Sequence, residues 1–281
     1  MSQSATEAAL RRARELMKRG RFADALQSAT VLLAEVPENR DVLYLIATSQ
    51  RYLGNIAEAL ATLDRLEELH PSFGRLFQER GHCHVAIRSS AAALAAYRNA
   101  VTLNPALIAS WRARAELSRA AGHVEESELA TLQIAHLEGL PPAVLTGSDM
   151  LAEGNVLDAE RLLRSFLQRH ERHVEAMRLL ARIGYRLDVL DDAEFLLESA
   201  ALFAPDNHVV RYDYAVSRAL DPAPAQASHA WIVCVRALWG KARRTCCARF
   251  GACIRRRTKP MGGGYCLFCT GPCRPVHGAC A

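Results

Sequence analysis

Five side chains close to the end of the chain, Cys266, Cys269, Cys273, His277 and Cys280, have the softness and proximity that zinc coordination needs. A structural zinc takes four such ligands in a tetrahedron, usually from two knuckles separated by a longer spacer. Cys266-Leu267-Phe268-Cys269 supplies one knuckle, but the second pair follows too closely for a standard ribbon, so Cys246, Cys247 or Cys253 would have to complete a looser site. His82-Cys83-His84 places its two imidazoles at i and i+2, on different faces of a helix, where they cannot share a metal. His170 and His173 close an Arg-rich helix end, where they suit the helix dipole. Gly262–Gly264 has neither the following Lys-Ser/Thr nor the preceding strand of a phosphate loop, and no G-x-S-x-G, H-E-x-x-H or kinase motif occurs. The expectation is a chain without catalytic residues, with zinc in the tail as its one candidate cofactor.

The charges and cysteines divide the chain at the same point. Residues 221–281 hold ten of the 35 bases and one of the 30 acids, leaving 25 bases against 29 acids in the body. Eight of the nine cysteines also lie in that tail, and only Cys83 lies before it. A mildly acidic body is not a uniformly basic nucleic-acid binder. The opening residues lack the apolar core of a signal peptide, and no run of 18 apolar residues occurs. A cytoplasmic protein with no membrane partner and no nucleic-acid partner is therefore expected.

What positions side chains in the body is a repeat. A 34-residue period gives units 6–39, 40–73, 74–107, 108–139 (two residues short), 140–173 and 174–207, then a partial unit 208–220. Each full unit carries a small residue on its second helix: Ala25, Ala59, Ala93, Ser127, Ala159 and Ala193. Five residues earlier stands a turn residue: Gly20, Gly54, Arg88, Gly122, Gly154 and Asp188. Pro37, Pro71, Pro105 and Pro205 fall near the ends of four units. Two antiparallel helices cross closely only where a side chain is small, Gly closes the first helix, and Pro stops the second. Residues 6–220 resemble the tetratricopeptide repeat (TPR). The fold expected is all-α, a solenoid of helix–turn–helix units in a right-handed superhelix, with an irregular or disordered C-terminal tail. A local irregularity is expected around residues 137–143.

The resemblance implies a concave surface lined by first-helix residues. The repeat frame assigns to it Arg14, Tyr44, Arg51, His82, Arg112, Arg119, Arg178, Arg182 and Tyr185. Arginines laddered beside tyrosines suit an acidic, extended peptide, because guanidinium pairs bidentately with carboxylate and the rings add apolar contact. The opposite reading, in which nearby acids such as Glu116 offset these arginines, stays open. No Asn falls on a first helix, so the Lys/Asn carboxylate clamp of chaperone-binding TPRs is not expected. The primary expectation is a non-catalytic protein-binding scaffold with Arg51, Arg112, Arg178 and Arg182 as leading contacts. The alternative comes from residues 140–220, which are similar to the TPR region ahead of a sulfotransferase domain in bacterial proteins. On that reading the chain is the interaction half of such a protein, truncated or frame-shifted before its enzyme half.

The break at residue 221 falls inside a repeat. The tail 221–281 is read as no folded domain, the readings being a frame-shifted sequence, a zinc-dependent tail that contacts nucleic acid through Arg255–Arg257, a disulfide-bonded tail, which the character of the body disfavours, or a basic tail. A half-unit at 208–220 would leave Tyr212, Tyr214 and Val216 without a covering second helix, an edge at which the chain could self-associate.

Overall fold

The computed structural model describes residues 3–220, and among them all regular structure is helical. Helices α1 to α13 run Gln3–Lys18, Phe22–Glu35, Arg40–Tyr52, Ile56–Leu69, Gly74–Ala86, Ser90–Leu103, Ile108–Ala120, Val124–Glu138, Pro142–Ala152, Val156–Leu167, Val174–Arg186, Leu190–Phe203 and His208–Leu220. The all-α repeat architecture expected from the sequence is the one observed. The zinc candidates Cys266, Cys269, Cys273, His277 and Cys280 lie outside the described residues.

Six helix–turn–helix joints share one geometry. Gly20, Gly54, Gly122 and Gly154 have φ of 74°, 86°, 79° and 86°, while Arg88 and Asp188 both have φ of 59°. These are the six residues that the period places at the turn. Immediately after each, an amide donates back five residues: Arg21 to the Leu16 carbonyl, Asn55 to Gln50, Ser89 to His84, His123 to Ser118, Asn155 to Met150 and Val189 to Gly184. This closure satisfies the last carbonyls of the first helix and requires a left-handed residue, which glycine supplies without steric cost. Asp tolerates that conformation; at Arg88 it costs about 1 kcal/mol.

The crossing points are as tight as the small residues imply. Ala25, Ala59, Ala93, Ala159 and Ala193 are fully buried and Ser127 nearly so. On the facing first helices, a Cβ at Gly81 would lie 2.6 Å from the Tyr97 ring, and one at Gly147 would lie 2.7 Å from Leu163. Asn39 caps α3 by accepting from the Asp41 and Val42 amides, and Asn207 does the same for α13 through Val209 and Val210. Between α8 and α9 the expected irregularity takes a specific form. Gly139 caps α8 with a right-handed φ of −76°, and Pro142 opens the short helix α9.

Two compact units result: Met1–Pro141 with Ala152–Gly154, and Pro142–Leu151 with Asn155 onward. The first holds two apolar clusters, one around Leu10, Leu32 and Ile46 and the other around Leu63, Leu76 and Phe77. The second has a single core around Leu163, Met177, Leu180, Ile183 and Leu196. Helix α13 packs on α12 through Val210, which is fully buried, with Tyr214 partly buried against the same core. Ala215 is exposed, although Ala13, Ala47 and Ala181 at the equivalent crossing position are buried. Tyr212 and Val216 are exposed, as expected of an uncovered half-unit, whereas Tyr214 is partly buried, and the exposed Ala215 belongs to the same edge.

Candidate partner-binding face

In the first unit, the first helices α1, α3 and α5 touch in succession, and ion pairs join them. Arg14 on α1 donates to Asp41 on α3 at 2.7 Å, and Arg51 on α3 donates to Glu79 on α5 at 2.6 Å. Glu79 is only 4% exposed, and the Tyr44 hydroxyl reaches its other oxygen at 3.4 Å. Burial opposes the Arg51 cation, but Glu79 more than compensates and its pKa ends raised. Burial, then Glu79, also holds the Tyr44 phenol protonated well above its ordinary range. Arg51 and Tyr44 are thus committed to an internal network.

His82 pairs through Nδ1 with the Tyr97 hydroxyl at 2.8 Å, and burial depresses its pKa. Cys83 is fully buried, and burial followed by the nearby Glu79 pushes its thiol up to about 11, so it is an inert core residue. Arg112 pairs with Glu138 at 2.6 Å with both side chains largely exposed. Arg119 is exposed and has no ion-pair partner among the described residues. The sequence reading missed another structural carboxylate of this unit. Glu126 on α8 accepts from Arg98 on α6 at 2.8 and 2.5 Å and from Arg114 on α7 at 2.8 Å. The Arg98 hydrogen bonds, aided by Arg114, hold its carboxyl down at about 2.

In the second unit, Arg178, Arg182 and Arg186 fall at i, i+4 and i+8 along one face of α11. Arg178 donates to Glu175 at 2.6 Å and to Asp213 on α13 at 2.7 Å. Arg186 donates to the Leu151 carbonyl at the end of α9, at 2.7 Å. Arg182, between them, is exposed and has no hydrogen-bond or ion-pair partner among the described residues. Although the residue as a whole is exposed, partial enclosure of its head group and then its two Arg neighbours depress its pKa, opposed by Asp213 and Glu175. Tyr185, one turn further on, is partly buried against the core.

The arginines were identifiable by register, and their acids were not. Tyr44 meets Glu79 and Arg178 meets Asp213, each 35 residues downstream. An acid one repeat plus one residue beyond a first-helix polar group was the available signal. Among the described residues no cluster of three or more His, Cys, Asp or Glu could hold a metal, and no helix is long and apolar enough to cross a membrane.

One family model described as a tetratricopeptide repeat matches residues 10–72 and again 44–107, and a second matches 150–218. No curated protein matches the chain. Among solved structures it is similar to TTC0263, a thermophilic TPR protein in Thermus thermophilus, at 21% identity over 76% of this chain and 100% of that one, with a TM-score of 0.43. It is also similar to PilW, a type IV pilus biogenesis factor, at 16% identity over 75% and 99%, with a TM-score of 0.44. MamA is similar at 14% identity over 70% and 91%, with a TM-score of 0.41.

Proposed function

This chain belongs to the tetratricopeptide-repeat proteins, and from that premise we propose that it is a non-catalytic scaffold holding a protein partner along its first-helix faces. Repeats of this kind bury their apolar sides against their neighbours and leave one helix face per unit free for a ligand. The partner segment is acidic and extended. The observation that carries this reading is that Arg119 in the first unit and Arg182 in the second, each at a first-helix register position, are exposed cations with no direct hydrogen bond or ion pair among the described residues. A guanidinium held on a helix without an ion pair meets a carboxylate without first breaking an internal pair.

The test uses the full chain, with octaglutamate as the probe and fluorescence anisotropy as the readout. Reversing Arg119 to Glu in the first unit, or Arg182 to Glu in the second, is expected to weaken octaglutamate binding by the unit that carries it while leaving the helical circular dichroism unchanged. Unchanged affinity would remove the first-helix faces from acidic-peptide binding and assign it elsewhere.

A further inference from the structure

Helix α13 carries the next first-helix face after α11. Its Val209, Tyr212 and Val216 stand 34 residues after Glu175, Arg178 and Arg182, so they occupy the same register positions. All three are exposed, at 51%, 69% and 38%. A missing second helix would cross at Ala215, whereas these three hold first-helix face positions. The Arg178–Asp213 pair ties the two faces together at 2.7 Å. A charged strip and an apolar strip therefore lie side by side in the second unit.

We propose that this pair of strips is a composite site for one class of partner segment: an extended peptide presenting a carboxylate to Arg182 and a large apolar side chain to Tyr212 and Val216. This deepens the scaffold reading above and rests on it. Charge complementarity identifies the acid. Three arginines on α11 share two acids, Glu175 and Asp213, and the one that hydrogen-bonds neither an acid nor a carbonyl is Arg182. Residues 221–281 contain a single acid, Asp221, so that segment offers little to neutralise it. Geometry sets the spacing. Helices in adjacent layers pack roughly 10 Å apart, and an extended chain advances about 3.3 Å per residue. The acid and the apolar residue should therefore lie about two or three positions apart.

The experiment is selection of a random dodecapeptide library on the full-length chain, repeated with R182Q and with Y212S. Arg182 and Tyr212 are both exposed, so unchanged thermal melting should accompany either substitution. The wild type is expected to enrich an acid two or three residues from Leu, Ile, Phe or Met. R182Q should lose the acid but keep the apolar preference, and Y212S should do the reverse. For a selected peptide, R182Q should weaken the dissociation constant about tenfold, and that loss should vanish when the peptide acid is replaced by its amide. Enrichment of the same motif by R182Q and Y212S would overturn the composite site while leaving a binding scaffold. Failure of the wild type to enrich any peptide would overturn the scaffold reading itself.

Discussion

Arg51 in the first unit and Arg182 in the second both stand on first helices, yet their charges have opposite fates. Arg51 is closed against Glu79, a carboxylate 4% exposed, with Tyr44 beside the same acid. Arg182 lies exposed between Arg178, which has two acids, and Arg186, which has a carbonyl. A repeat places cations at regular intervals, but each unit decides locally whether the neighbouring first helix answers with an acid. Where it does, the arginine is held in an ion pair; where it does not, the arginine is left without one, and the proposed partner site rests on such a residue. Similar side chains on similar helices thus stand in different electrostatic surroundings.

The comparison can be broken at several strengths. The largest effect is expected from Glu79→Gln, which leaves Arg51 largely enclosed without its counter-charge and should destabilise the chain by about 3 kcal/mol in urea unfolding. A negligible loss would show that the Arg51 network is not structural. Next is Glu126→Gln, which removes a carboxylate shared by three helices and should cost about 1–2 kcal/mol at neutral pH. Its carboxyl is held at about 2, so that contribution is fully present above the ordinary value of 4.5 and lost as the pH falls through about 2. The difference between wild type and Glu126→Gln should therefore shrink on acidification.

A smaller and earlier acid response is expected in the second unit. His173 caps α11 by accepting the Ala176 amide at Nδ1, and burial lowers its pKa from the ordinary 6.5. Protonation destroys the acceptor, so the cap is complete above pH 6.5 and fails as the pH falls through the lowered value. Hydrogen exchange in the first turn of α11 should accelerate on acidification from about pH 7 to about pH 5, and His173→Asn should suppress that change. The smallest effect is that of Arg182→Gln on stability, expected within about 0.5 kcal/mol and in the stabilising direction, because two neighbouring cations lose a third. A large loss would mean that Arg182 has a structural partner after all.

Much of the fold was legible because helix–turn–helix closure rests on local chemistry. The six turn positions are set by which residues accept a left-handed φ, and the six crossings by which side chains are small. Both appear in the sequence as residue type at fixed spacing. Register likewise puts Arg14, Arg51, Arg112 and Arg182 on first helices, as observed. Their occupancy was not legible, because Glu79 and Asp213 lie about a repeat away and an acid on the next helix can pair, point to solvent or be buried. The cause of the exposed edge was not legible for a related reason: exposure of Tyr212 and Val216 can come from a missing second helix or from a first-helix face, and the burial of Val210 and exposure of Ala215 bear on which.

By itself, then, the sequence determined an all-α array whose cations recur on one face, because helical periodicity and turn chemistry depend on near neighbours along the chain. The tertiary structure alone decided which of those cations are already answered. Charge pairing depends on distances between helices and on how much water remains around each pair, and neither is written in residue order. Arg51 is enclosed with its acid and Arg182 is not, and that difference makes the second unit's face the place to seek a partner.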